Sequence, residues 1–116
     1  MPQILVVEDD AWIRLWIEDA LQDAGYPVMF AGNADEAVSI LNSMSSFDYV
    51  ITDIEMPGSM NGIRLAMLIR DRWPPIRIII ASGKHRPTAN DLPAGAIFLA
   101  KPYREADLVA ALDQAR

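Results

Sequence analysis

The chain has 116 residues, 52% of them hydrophobic and 22% charged, with a net charge of −6. That length suits one domain, residues 1–116, and is too short for two, and the composition is that of a folded chain rather than a disordered one. The acidic balance lacks the basic footprint that nucleic-acid binding requires, no apolar run approaches the length of a membrane span, and the lack of cysteine excludes disulfides and thiolate chemistry. No N-terminal run of basic, apolar and small residues reads as a secretory signal, which favours the cytosol.

Apolar pattern and breakers divide the chain into five repeats of strand then helix. Ile4-Leu5-Val6-Val7 is a short continuous apolar run, suited to a strand covered on both faces. Asp10 can cap the helix that follows, where Ile13, Trp16, Ile17, Ala20, Leu21 and Ala24 recur at helical spacing until Gly25 ends it. Val28 to Ala31 is the second strand, and Asn33-Ala34-Asp35-Glu36 reads as a capping box opening the second helix. Tyr49 to Thr52 is the third strand and ends at Asp53; a loop with Pro57 and Gly58 leads to a helix from about Gly62 to Trp73, stopped by Pro74 and Pro75. Arg77 to Ala81 is the fourth strand, ending at Ser82. The stretch from Gly83 to Gly95 contains Pro87 and Pro93 and has room only for a shortened fourth helix. Ala96 to Ala100 is the fifth strand, ending at Lys101-Pro102, and the last helix puts Leu108, Ala111, Leu112 and Ala115 on one face, with Glu105 and Asp107 in its first turn.

Strands alternating with helices imply right-handed crossovers and a doubly wound α/β fold, a five-stranded parallel sheet with helices on both faces. Ligands in such folds bind beyond the carboxyl ends of the strands. Glu8 and Asp9 follow strand one, Asp53 strand three, Ser82 strand four and Lys101 strand five, so groups fit for phosphoryl chemistry gather on one edge. Three carboxylates held close repel one another by several kcal/mol per pair at an effective dielectric of about 20. Either their pKa values rise or a cation joins them. Carboxylates without His or Cys suit Mg²⁺ or Mn²⁺ rather than zinc. A carboxylate is also a competent nucleophile toward phosphorus, a lysine can neutralise the transferring group, and a hydroxyl can bond to one of its oxygens.

The ordered set Glu8-Asp9, Asp53, Ser82 and Lys101-Pro102, together with Asp53-Ile54-Glu55-Met56-Pro57 and a later Gly62, resembles the receiver domain of two-component response regulators from Gln3 to the end of the chain. The resemblance implies the flavodoxin-like strand order 2-1-3-4-5. It makes Asp53 the phosphoacceptor. Asp9 would hold the metal directly and Glu8 directly or through water, with the main-chain carbonyl of Glu55 as a further ligand. Ser82 would move toward the phosphoryl group and Phe98 would rotate inward with it. Lys101 would pair with the phosphate beside a Lys101-Pro102 bond that is often cis in the family. The implied donor is a histidine kinase or histidine phosphotransfer protein, and the implied reader is a downstream protein. The chain would catalyse only its own phosphorylation and dephosphorylation, with no direct membrane contact and with room for a homodimer. It would be a stand-alone receiver or one excised from a larger regulator or hybrid kinase. Trp12 and Leu15 lie beside the buried stripe of the first helix and are candidates for the docking of a histidine-bearing partner, aromatic anchors being the usual centres of such interfaces.

The chain departs from the family's usual pattern in three places. The loop from Glu55 to Gly62 is one residue longer than the commonest spacing, the interval from Ser82 to Lys101 is shorter, and Phe98 stands where Tyr is more frequent. Two further expectations concern that region. Lys84 and Glu55 would pair across the entrance to the site, and the segment from Lys84 to Pro93 would be the most mobile. Two other readings compete. Asp53-Ile54-Glu55 resembles the paired aspartates of dehalogenase-like phosphatases, although Met56-Pro57 replaces the Gly and Thr expected there. A pseudo-receiver that only docks is the other, against which the intact acidic pair, Ser82 and Lys101 argue.

Overall fold

Five apolar runs form one parallel sheet in the computed structural model, which describes residues 2–44, 46–56, 58, 60–83 and 87–115. The strands are β1 (Ile4–Val7), β2 (Val28–Ala31), β3 (Tyr49–Asp53), β4 (Arg77–Ser82) and β5 (Ile97–Ala100), in the order β2-β1-β3-β4-β5. This is the flavodoxin-like order expected. Because side chains alternate across a strand, Leu5, Val7, Val50, Ile78 and Ile80 enter one core layer. Ile4, Val6, Tyr49, Ile51 and Ile79 enter the other.

Among the described residues four helices cover the two faces: α1 (Ala11–Asp23), α2 (Ala34–Ser43), α3 (Gly62–Arg72) and α4 (Glu105–Ala115). Ile17 and Leu21 of α1 pack with Leu108 and Leu112 of α4 on one side; Leu41 of α2 packs with Leu65 and Ile69 of α3 on the other. Their ends follow local chemistry. Asp10 caps α1, its carboxylate accepting from the Trp12 and Ile13 amides at 2.9 and 3.2 Å. Gly25, at φ 86°, closes α1 by donating to the Gln22 carbonyl while Tyr26 donates to that of Leu21, the double bond of a Schellman turn. The capping box of α2 is present with a shift of one residue: Asn33 accepts from the Glu36 amide, and the Glu36 carboxylate accepts from Gly32 rather than from Asn33.

Two expectations need correction. Trp16 and Ala24 were placed on the buried stripe of α1, yet both are exposed, Trp16 by 41%. Trp16 lies in the part of α1 nearest the strands' carboxyl ends, where its ring stands edge-on to Tyr103 instead of against the sheet. Ala24 has already left the helix as its C-cap. The fourth crossover, expected to keep a short helix, holds only a 3₁₀ turn at Ala89–Asp91 among its described residues. Pro87 and Pro93 bring no amide to an α-helical ladder there. The Thr88 amide and hydroxyl bond instead to the Asp91 carboxylate, and Arg70 of α3 fastens the far end through the Ala94 carbonyl at 3.0 Å. Lys84, and with it the start of the segment expected to be most mobile, lies outside the described residues. Among the described residues no helix is long and apolar enough to cross a membrane.

Candidate functional site

Strand register builds the acidic part of the site. β1 and β3 pair in step from Ile4–Tyr49 to Val7–Thr52, so the next residue of each chain, Glu8 and Asp53, emerge side by side. The crossover that leaves β1 runs to β2 and the one that leaves the adjacent β3 runs the other way to β4, which opens a crevice between β1 and β3. Ligand oxygens of Glu8, Asp9 and Asp53 lie within 4.8 Å of one another. Glu8 and Asp53 are buried, at 3% and 8% exposure, and Asp9 is open to solvent.

β4 and β5 add the rest. Asp53 pairs with Ala81 in register, which puts Ser82 one step beyond it, and Ser82 pairs with Ala100, which delivers Lys101 to the same edge. The Lys101 ammonium donates to Asp53 Oδ2 at 3.1 Å and lies 3.5 Å from Glu8 Oε1. The Lys101–Pro102 peptide bond is cis, as the resemblance implied. Ser82 is fully buried, and its hydroxyl donates to both carboxylate oxygens of Glu55, at 2.7 and 2.8 Å.

Gly62, the first residue of α3, explains why a glycine stands there. A Cβ at this position would overlap the Asp53 carbonyl oxygen and would sit 2.9 Å from the Ile54 Cα. The start of α3 therefore presses directly on the backbone that carries Asp53, and the Gly62 amide donates to the Ile54 carbonyl at 3.0 Å.

The electrostatics carry the mark of crowded acids. Burial is the main influence raising the Asp53 pKa above its ordinary value; Lys101 opposes it and Glu55 reinforces it. Burial also raises Glu8, against the Asp10 amide and Lys101, with Asp53 adding to the rise. For Lys101, burial favours the neutral amine, but Asp53 and Glu8 outweigh it and the net shift is upward. The Tyr103 phenol is held well above its ordinary range by burial and by the charges of Glu8 and Asp53.

Whether a hard cation fits can be judged from these residues. Asp53 Oδ2 is engaged by Lys101, but Oδ1 is buried and has no hydrogen-bond partner among the described residues. An orphaned carboxylate oxygen is costly to bury unless something supplies positive charge. The neighbouring donors are all carboxylate oxygens, the donor type that Mg²⁺ or Mn²⁺ prefers. The residues fit such an ion.

The structure thus brings Glu8, Asp9, Asp53 and Lys101 together and sets Ser82 beside them through Glu55. Phe98 does not reach the acids. It is partly buried against the core layer under α2 and α3, paired in register with Ile80. Trp12 and Leu15 are exposed, by 82% and 52%. Trp12 joins Ile13, Trp16, Gly83, Lys101, Pro102 and Tyr103 around a groove of about 500 Å³, which Leu15 does not line. Tyr103 and Trp16 were missed as site residues; the position of Tyr103 two residues after Lys101 was the available signal. The bond between the Glu55 carboxylate and Ser82 was not anticipated, and the partner expected for that carboxylate, Lys84, lies outside the described residues.

Comparison with known proteins agrees with this geometry. The family model for the response regulator receiver domain matches residues 4–113. The chain is 36% identical to the response regulator receiver protein CpdR of Brucella abortus over 94% of this chain and 92% of that one. It spans about half the length or less of several other curated relatives. Among solved structures, a response regulator receiver protein from Sinorhizobium medicae superposes with a TM-score of 0.90 at 31% identity, covering 98% of this chain and 93% of that chain. The response regulator protein TrrA of Thermotoga maritima, in complex with Mg(2+)-BeF, superposes with a TM-score of 0.85 at 28% identity over 100% of both chains. With its strand order, its acidic crevice and a family match over nearly its whole length, the chain belongs to the response regulator receiver domain family.

Proposed function

We propose that Asp53 accepts a phosphoryl group from a phosphohistidine, on a histidine kinase or a histidine phosphotransfer protein, within a two-component system. The observation that carries this reading is the state of the Asp53 carboxylate: buried, with Lys101 on one oxygen and the other oxygen without a partner among the described residues. Asp9 and Asp53 would hold Mg²⁺ or Mn²⁺ directly and Glu8 directly or through water, with the main-chain carbonyl of Glu55 as a further ligand. When bound, the ion neutralises charge on the phosphoryl oxygens and relieves repulsion among the three acids.

The chain's own residues do the rest. The Asp53 carboxylate attacks phosphorus as the bond from phosphorus to the donor's imidazole nitrogen breaks, leaving an acyl phosphate on Asp53 and a free histidine on the partner. Lys101 is already at the acceptor and can follow the new negative charge. The Ser82 hydroxyl donates to a phosphoryl oxygen, and Phe98 turns into the space vacated. The rearranged β4–β5 side alters affinity for a downstream protein, or the domain passes the group on as a relay or sink. Attack by water on phosphorus breaks its bond to the Asp53 oxygen, restoring the carboxylate and releasing inorganic phosphate. In this reading the chain catalyses only its own phosphorylation and dephosphorylation, in the cytoplasm. The groove beside Trp12 and Trp16 opens next to Lys101 and supports docking of the histidine-bearing partner there.

The test is intact mass after incubation with acetyl phosphate and Mg²⁺. Wild type should gain one phosphoryl group, and Asp53→Asn should gain none. Labelling of Asp53→Asn to the same extent, or steady turnover of added phosphomonoesters without stable label, would replace this reading.

A further inference from the structure

The hydroxyl of Ser82 has a single proton to donate, and in this structure that proton is directed at a carboxylate. Ser82 Oγ lies 2.7 Å from Glu55 Oε1 and 2.8 Å from Oε2, both ordinary hydroxyl hydrogen-bond distances, so the one proton is shared between both oxygens. The serine is fully buried, so water does not compete for it. Glu55 comes from the loop after β3, two residues beyond Asp53, whereas Ser82 ends β4. The bond therefore ties together the two strand ends between which a phosphoryl group would sit.

We propose that the Glu55 side chain is a positioning residue that holds the Ser82 hydroxyl in the unphosphorylated arrangement, so that the phosphoryl group must take this hydroxyl from Glu55. This rests on the reading of Asp53 as phosphoacceptor and adds a competitor within the same site. A proton already shared between the two oxygens of the Glu55 carboxylate must turn away from them to reach a phosphoryl oxygen on Asp53, so the two bonds compete. Occupation of Asp53 replaces a carboxylate acceptor by a phosphoryl acceptor for the same donor, and the free energy of the Ser82–Glu55 bond is subtracted from the drive toward the active arrangement. Glu55 also acts by charge, since its carboxylate is among the influences that disfavour negative charge on Asp53. The two effects separate, because the charge acts whether or not residue 82 has a hydroxyl.

A double-mutant cycle read by equilibrium binding separates them. Beryllofluoride, an acyl-phosphate mimic, is titrated calorimetrically at saturating Mg²⁺ into wild type, Glu55→Ala, Ser82→Ala and the double variant, each first checked for a cooperative thermal transition. Glu55→Ala should tighten binding in both serine and alanine backgrounds. The gain should be larger by roughly fivefold or more where Ser82 is present, as expected for loss of a competing hydrogen bond to a charged group. The same gain in both backgrounds would show that Glu55 acts by charge alone and would overturn the proposal. If wild type neither binds beryllofluoride nor labels with acetyl phosphate, the phosphoacceptor reading itself fails. Normal labelling with equal gains removes only the role of Glu55.

Discussion

Register brings every strand end of the site to one edge, but the β1–β3 side is set by register alone, whereas on the β4–β5 side the Ser82 and Lys101 side chains are also held by bonds reaching across that edge. Glu8 and Asp53 come together because two fully buried strands pair in step and end together. A one-residue slip would turn every core side chain of β1 to the wrong layer, so their juxtaposition is as firm as the core. On the other side, Ser82 is held by a carboxylate 27 residues away, and the crossover that follows it has a 3₁₀ turn where the other crossovers have helices of at least ten residues. A rigid acidic half suits ion binding and nucleophilic attack. The other half is held by bonds that can be exchanged, which suits a part that must rearrange.

The largest effect should come from breaking the acidic half directly. Asp9→Ala removes the exposed one of the three candidate ligand carboxylates and leaves the buried strands untouched. Mg²⁺ affinity should fall by roughly a hundredfold, since even outer partners of metal ligands are worth ~10–100-fold. Titration followed by tryptophan fluorescence would check it, Trp12 and Trp16 lying in the groove beside Lys101. Unchanged affinity would remove Asp9 from the ligand set.

A backbone perturbation of the same half comes next. Gly62→Ala forces a Cβ against the Asp53 carbonyl, and the contact atoms are backbone, which yields poorly. The start of α3 must withdraw from β3, at a cost of about 1–3 kcal/mol in stability, the usual range for overpacking. Urea unfolding would measure this. Acetyl-phosphate labelling of the folded variant should also slow, because the backbone carrying Asp53 has moved. Wild-type stability would mean that α3 and β3 are not fixed against each other as described.

Where α1 meets the β4–β5 side across the groove, Trp12→Ala removes an exposed aromatic wall without entering either core layer. Transfer from a histidine-bearing partner should slow by about tenfold, the loss expected for a modest interface anchor. Labelling by acetyl phosphate, which needs no docking, should stay at the wild-type rate. Equal losses in both assays would point to the site or the fold instead.

The two halves also differed in how far they could be read from the sequence. Glu8, Asp9, Asp53 and Lys101 were legible because each closes an apolar run, and a parallel sheet sends all such ends to one edge. The five strands and their order follow from the same pattern once the resemblance is recognised. The cis Lys101–Pro102 bond was legible only through that resemblance, since nothing in the local composition demands it. The partner of Ser82 was not legible at all. Glu55 reaches it across a gap in sequence that no periodicity describes, and either carboxylate oxygen, or another acid, would have read alike. Trp16 misled because helical phase pointed it to the sheet, while the chain had placed Tyr103 beside that turn of α1. The two prolines announced a short fourth crossover, but not that its described residues would form a 3₁₀ turn followed by a stretch fastened to Arg70 at Ala94.

The smallest effect isolates the charge of the acidic half, and its sign can be worked out. Glu8 and Asp53 both have folded-state pKa values raised above their ordinary 4.5 and 3.8, chiefly by burial. As pH rises through the carboxylate range, the unfolded chain releases these protons before the folded chain does. Stability from these groups is therefore full below their ordinary values and is lost as pH climbs through the raised folded values. Lys101 and Tyr103 are raised too, but each loses its contribution only in the alkaline range, above the ordinary 10.5 and 10.0, and does not alter this window. Without metal, the thermal midpoint of Asp53→Asn relative to wild type should rise as pH climbs from the ordinary carboxylate range through the raised folded value of Asp53, because the amide carries no charge to bury. Mg²⁺ should compress that difference at the upper end, since a cation at the acids restores what their ionisation costs. Melting curves of both proteins at several pH values, with Mg²⁺ or with EDTA, would measure it. A difference that stays constant with pH would mean that Lys101 alone already balances the buried acids, and the acidic half would then gain no stability from a metal ion.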